Sequence, residues 1–193
     1  MIHRIYRVLL VLIAALPVVA TAETYQVDFL VFAQGGIDGE APQLTQSVDI
    51  GRAIDPSDVN RLHNAGIRIV TESAGRLANL WAGLNRGHRY EPLAHLSWIQ
   101  VNPPELRGPS LHVTAGGTID TPTGPVRALD GTATLHGGFY LHVDTDLVWT
   151  THGADGKPVS WRLDENRRLR LNETHYLDGA RLSVITRVTR LTQ

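Results

Sequence analysis

The densest group of chemically capable side chains lies in "RRLRLNETHYLD", residues 167 to 178. It holds Arg167, Arg168, Arg170, Glu173, His175, Tyr176 and Asp178. Glu173 and His175 stand two residues apart and have the residue types of a general acid–base pair. No nucleophile or oxyanion hole is evident beside them, so a catalytic set is not expected. Guanidinium groups hold carboxylates by paired hydrogen bonds, which suits Arg168 and Arg170 to an acidic ligand. The same arginines can equally pair with Glu173, Asp144 or Asp146 as a cross-strand network, and that structural role is expected to come first. His142, Asp144 and Asp146 fall on one face of another predicted strand. Histidine and carboxylate are zinc-ligand types, but no compact HExxH-like spacing occurs, so neither a metal nor another cofactor is expected. No G-x-S-x-G or S-x-x-K motif is found, and Gly35-Gly36 and Gly116-Gly117 lack the companions of a phosphate-binding loop.

These residues need a scaffold, and the periodicity is mostly that of strands. In "TYQVDFLVF", Tyr25, Val27, Phe29 and Val31 share one face. "ESAGRLANLWAGLNRG" places Leu77, Leu80, Trp81 and Leu84 on one helical stripe ended by Gly87, which predicts a helix over about 73–86 with Trp81 in the core. "YEPLAHLSWIQ" is extended, with Ala94, Leu96 and Trp98 on one face. A short strand over 111–115 precedes a turn-rich "GGTIDTPTGP". "GTATLHGGFYLHVDTDLVWT" reads as a hairpin with a three-residue loop pairing Leu135 with Phe139. Its second strand sets Phe139, Leu141, Val143, Leu147 and Trp149 against Tyr140, His142, Asp144 and Asp146. Further strands are expected near 159–164, 167–172 and 182–190. Trp149 and Trp161 lie near strand ends, where core burial competes with stacking on sugar rings. The stretch 34–71 loses periodicity and is read as a variable loop region, with a short helix over 57–64. The expected class is α+β, a single domain whose largely antiparallel sheet carries one main helix.

Composition narrows the setting. Arg4 and Arg7 precede an apolar run from Val8 to Ala20, and Ala20-Thr21-Ala22 supplies the small residues of a cleavage site. Residues 1–22 are therefore read as a secretory signal peptide and 23–193 as the mature domain, with no stable membrane insertion. There is no cysteine, so disulfides, a thiol nucleophile and a cysteine zinc site are excluded. The formal net charge of −1 gives no whole-molecule attraction to nucleic acid.

Four segments together form a recognisable pattern. They are "YQVDFLVFA", a helix leading into "LAHLSWIQ", then "GGFYLHVDTDLVW", and finally "RRLRLNETHYLDGARLSVITRV". The chain resembles the CsiV family of bacterial periplasmic peptidoglycan-binding proteins, most specifically in Leu141-His142-Val143-Asp144 and in the run Arg168, Arg170, Glu173, His175, Tyr176, Asp178. It departs from the family where His-Pro and an aromatic residue usually follow, since Gly179, Ala180 and Leu182 stand there. The resemblance implies a periplasmic, non-enzymatic cell-wall accessory protein that binds peptidoglycan and works with periplasmic activators of wall synthases. It also implies binding residues among Arg168, Arg170, Glu173, His175, Tyr176, Asp178, His142 and Asp144. Two readings compete with it: a periplasmic hydrolase using Glu173 and His175, with or without a metal, and a purely structural protein that binds no ligand.

Overall fold

The computed structural model describes residues 22–35, 47–87 and 89–192. The signal segment expected over 1–22 lies almost wholly outside the described residues, as do residues 36–46 of the expected loop region 34–71. Among the described residues, nine strands form two antiparallel sheets. The first sheet has the order β2-β3-β1-β9-β8 and the second β4-β5-β6-β7. In chain order they are β1 (Thr24–Gln34), β2 (Ile67–Val70), β3 (Tyr90–Val101), β4 (Ser110–Thr121), β5 (Gly124–His136), β6 (Leu141–His152), β7 (Pro158–Leu169), β8 (Thr174–Asp178) and β9 (Leu182–Leu191). Helices are short: α1 (Val59–Asn64), α2 (Ala78–Arg86) and a single 3₁₀ turn at Glu72–Ala74. Among the described residues, no helix is long and apolar enough to cross a membrane.

The expectation of an α+β domain built on one sheet and a main helix is therefore corrected. The two sheets face each other as a β-sandwich, and their inner faces share one core. The first sheet contributes Val27, Phe29 and Trp98, and the second Leu135, Leu147 and Trp161. The misreading came from strands that are longer than their periodicity suggested. Gly116 and Gly117 are not a turn but a bulge inside β4, where the register with β5 shifts between Ala115 and Thr118. Gly116 has a φ of 73°, and a Cβ there would lie 2.8 Å from that of Ala128. Likewise β7 runs unbroken through Glu165 and Asn166, where two strands were expected. Glu165 and Arg167 point to the inner side of this edge strand and pair with each other at 2.6 Å. Such inward charges blunt a strand edge against pairing with other chains.

The predicted helix stripe is partly right. Helix α2 begins only at Ala78 and lies on the outer face of the first sheet. There Leu77 and Leu84 bury against Leu30 and Phe32, while Trp81 is half-buried against this cluster with its ring 5.4 Å from that of His95. Leu80, expected on the stripe, is 39% exposed. Because the helix covers its outer side, β1 is buried on both faces from Tyr25 to Ala33. Asp28 sits in this layer, fully buried. Its Oδ1 accepts the Ser97 hydroxyl at 2.7 Å and the Arg76 N–H at 2.9 Å, which ties the segment before α2 onto the sheet. Within 34–71, α1 is N-capped by the Asp58 side chain and β2 pairs with β3.

Candidate binding site

The turn after β7 decides where the ionisable run goes. Asn172 adopts a left-handed φ of 64°, a conformation asparagine tolerates, and its N–H donates to the Val188 carbonyl at 2.8 Å. The chain there leaves the second sheet and enters the first. Strands β7 and β8, although adjacent in sequence, thus belong to opposite layers of the sandwich.

The predicted residues consequently separate into three groups. Arg168, His142 and Asp144 lie on the outer face of the second sheet. The Arg168 guanidinium rests on the Tyr140 ring, 3.0 Å from its centroid. His142 stacks on His136 with ring centroids 5.3 Å apart, its Nδ1 lies 2.9 Å from the Asn166 side chain, and His136 Nε2 is 3.0 Å from Asp144. Asn166 also donates to Asp144. Arg170, Glu173 and His175 surround the turn. The Arg170–Glu173 pair is loose at 3.9 Å, with side chains 74% and 55% exposed, and His175 Nε2 accepts the Arg170 N–H at 3.0 Å. Tyr176 and Asp178 lie on the outer face of the first sheet. Asp178 Oδ1 accepts from Gln34, Ser183 and Tyr176 at 2.9, 2.9 and 3.0 Å. Burial pushes the Tyr176 phenol up from its ordinary value, against a hydrogen bond to Ser183 that lowers it.

Asp146, the other expected arginine partner, is held instead by Arg162 through two hydrogen bonds of 2.7 Å, and that pairing raises the Arg162 pKa. Among the described residues no group of three or more histidine and carboxylate side chains is arranged to hold a metal. Trp149 and Trp161 are buried in the sandwich, their rings 5.4 Å apart.

A concave surface lies where the spacing of ionisable residues does not indicate one. It is a groove of about 530 Å³ at the end of the sandwich where β1 begins and β9 ends. The connection between β5 and β6 forms one wall. It runs Gly137 to Tyr140 between the strands, the last cross-strand pair is His136 with His142, and Leu135 opposes Val143 rather than Phe139. The core face keeps its apolar alternation, while Phe139 swings out to 91% exposure with its ring edge-on to Tyr140 at 4.7 Å. Gly137 N–H donates to the Pro104 carbonyl at 2.8 Å, which locks this connection to the one following β3. On the opposite wall, Glu23 Oε1 accepts from Arg190 at 2.6 Å and Oε2 accepts the Tyr25 hydroxyl. Burial raises the Tyr25 pKa, and the Glu23 hydrogen bond adds to it against the opposing pull of Arg190. Leu171 completes an apolar lip beside Tyr140.

Of the candidate binding residues named from sequence, Arg168 adjoins the groove, through Tyr140, and none of the others lines it. The missed signal was "GGFY" itself, two large aromatics after a glycine pair, which strand alternation had assigned to the two faces of β6. Chemically the groove offers exposed ring faces, a guanidinium and a carboxylate, a combination suited to a ligand with both apolar faces and polar groups.

No curated protein matches the chain. A solved structure, that of Aeromonas hydrophila ExeD, is similar at a TM-score of 0.38 and 10% identity, over 100% of this chain and 52% of that one. This chain thus spans about half the length of that relative. The family model described as "Peptidoglycan-binding protein, CsiV" matches residues 5–191, nearly the whole sequence, and the chain belongs to that family of peptidoglycan-binding proteins.

Proposed function

We propose that this protein is a non-enzymatic periplasmic accessory of cell-wall synthesis, that it holds peptidoglycan in the groove at the end of the sandwich, and that it works with periplasmic activators of wall synthases. The observation that carries the choice of site is Phe139, a large aromatic side chain 91% exposed on the groove wall with Tyr140 edge-on beside it. Exposed aromatics rimming a concave surface favour sugar rings, whose C–H faces stack on them, and the Glu23–Arg190 pair offers partners to amides and carboxylates. A hydrolase built on Glu173 and His175 is disfavoured. Glu173 faces Arg170, the His175 Nε2 is engaged by the Arg170 backbone, and neither residue lines the groove. The test is a pull-down with purified sacculi, run beside a muropeptide-release assay. Phe139→Ala and Tyr140→Ala should lose sacculus binding while their melting temperatures stay near wild type. Full binding by both variants would overturn the site, and released muropeptides would overturn the non-enzymatic reading.

A further inference from the structure

Glu23 is pinned at the lip of the groove by main chain as well as side chain. Its N–H donates to Asn102 Oδ1 at 2.8 Å, and the Asn102 N–H returns a bond to the Glu23 carbonyl at 2.7 Å. Asn102 reaches this position with a left-handed φ of 46°. Both Glu23 carboxylate oxygens are already taken, one by Arg190 and the other by Tyr25. Immediately before Glu23 stands Ala20-Thr21-Ala22, the small-residue pattern that leader peptidases cut.

We infer that hydrolysis of the Ala22–Glu23 bond completes the ligand site by placing the new α-ammonium of Glu23 in the groove, where with Arg190 it takes a carboxylate of the peptidoglycan stem peptide. The inference rests on the groove being the ligand surface. In the cleavage the amide C–N bond breaks. Water supplies the hydroxyl of the Ala22 carboxyl group and a hydrogen to the Glu23 nitrogen, which is then protonated from solvent. Before cleavage that nitrogen carries one N–H, and Asn102 uses it. After cleavage it carries three, so two remain for a ligand beside the bond to Asn102. The charge changes in the same sense. The lining holds the carboxylates of Glu23 and Glu105 against the single guanidinium of Arg190, and the ammonium removes this acidic excess. Stem peptides end in carboxylates, which an ammonium beside a guanidinium holds by charge-assisted hydrogen bonds.

Lys157 is the chain's single lysine and lies at the opposite end of the sandwich, in the turn between β6 and β7. In a Lys157→Arg protein the α-amine is therefore the one remaining primary amine, and its ordinary pKa of about 8 lets it be acetylated near neutral pH. The experiment purifies this variant from the exported fraction and reads its N-terminus by sequencing. Acetylated and untreated samples are then titrated with a muropeptide bearing free stem carboxylates and with its carboxyl-amidated counterpart. The expected N-terminus is Glu23, and a different one overturns the inference. Acetylation should weaken binding of the free-carboxylate muropeptide about tenfold, the loss of one charge-assisted contact. It should leave the already weaker binding of the amidated form unchanged. Equal affinity of acetylated and untreated protein for the free-carboxylate form overturns the inference. Tyr140→Ala separates the two ways of failing. If it abolishes binding while acetylation does nothing, the ammonium assignment alone is wrong; if it binds as wild type, the groove reading has failed first.

Discussion

Asp28→Ala removes a buried carboxylate that ties the segment preceding α2 to the centre of the first sheet, where Gln26 also holds the Ala74 carbonyl at 3.2 Å. The Asp28 Oδ1 is acceptor to both the Ser97 hydroxyl and the Arg76 N–H. Ser97 has an alternative, because its Oγ already lies 3.1 Å from His95 Nε2. The Arg76 N–H would be left without its acceptor, and a partly buried donor so stranded costs up to the about 1–3 kcal/mol of a buried one. Allowing for some loosening of α2, the expected loss is roughly 2 kcal/mol in urea unfolding followed by tryptophan fluorescence. Asp28→Asn keeps an oxygen for both donors and should fall between wild type and alanine. Gly75 gives an independent check. A Cβ there would lie 2.7 Å from Asp28 Oδ1 and 2.9 Å from Ser97 Oγ. Gly75→Ala should therefore be destabilising by itself and cost less in the Asp28→Ala background, a coupling that a double-mutant cycle measures directly. The reasoning is refuted if Asp28→Ala stays within about 0.5 kcal/mol of wild type and leaves hydrogen exchange at the Arg76 amide unchanged.

Arg170→Ala and Glu173→Ala should each cost about 0–1 kcal/mol in thermal unfolding, because the pair is long and largely in water; a loss above 3 would show a buried network. Trp81→Ala should cost roughly 2 kcal/mol in chemical denaturation, below the 3–5 typical of a fully buried ring, because the side chain is only half covered. Burial holds the His95 pKa below its ordinary value, against the raising effect of Glu72 and Asp28. The unfolded chain therefore takes up the proton first, and stability should fall as pH drops from about 6.5 through the lower folded value, then level off. His95→Gln should remove that part of the slope, which a series of denaturation curves between pH 7.5 and about 5 would resolve.

Local pattern carried far into this fold, and topology did not. The alternation of Tyr25, Val27, Phe29 and Val31 identified the inner face of β1, and Trp98 was placed correctly beside it. The helix stripe was legible at Leu77 and Leu84, but sequence could not say that α2 covers only the outer side of one sheet. The class was misread because Gly116-Gly117 and Glu165-Asn166 look like chain breaks, whereas a bulge absorbs the first and β7 runs on through the second with Glu165 paired to Arg167. The ionisable run appeared to be one cluster for a related reason. Nothing in "LNET" reveals that the chain changes sheets there, so Arg168 and Asp178 were grouped although they end on opposite faces of the sandwich. The groove brings together residues as distant as Glu23, Tyr140 and Arg190, and a juxtaposition of that range has no local signature.

The place of β1 also shapes the order of folding. It is flanked by β3 and by β9, and Thr24 pairs with Leu191, so the first described strand finds its second neighbour only in the last. A ribosome delivers residues in sequence, and until β9 emerges the most buried strand of the domain has one edge unsatisfied. Contacts of such long range close slowly, since most of the chain's loop entropy must be lost before they form. The β1–β9 pairing thus delays closure of the first sheet until β9 is available, and it makes loss of β9 a lesion of the core.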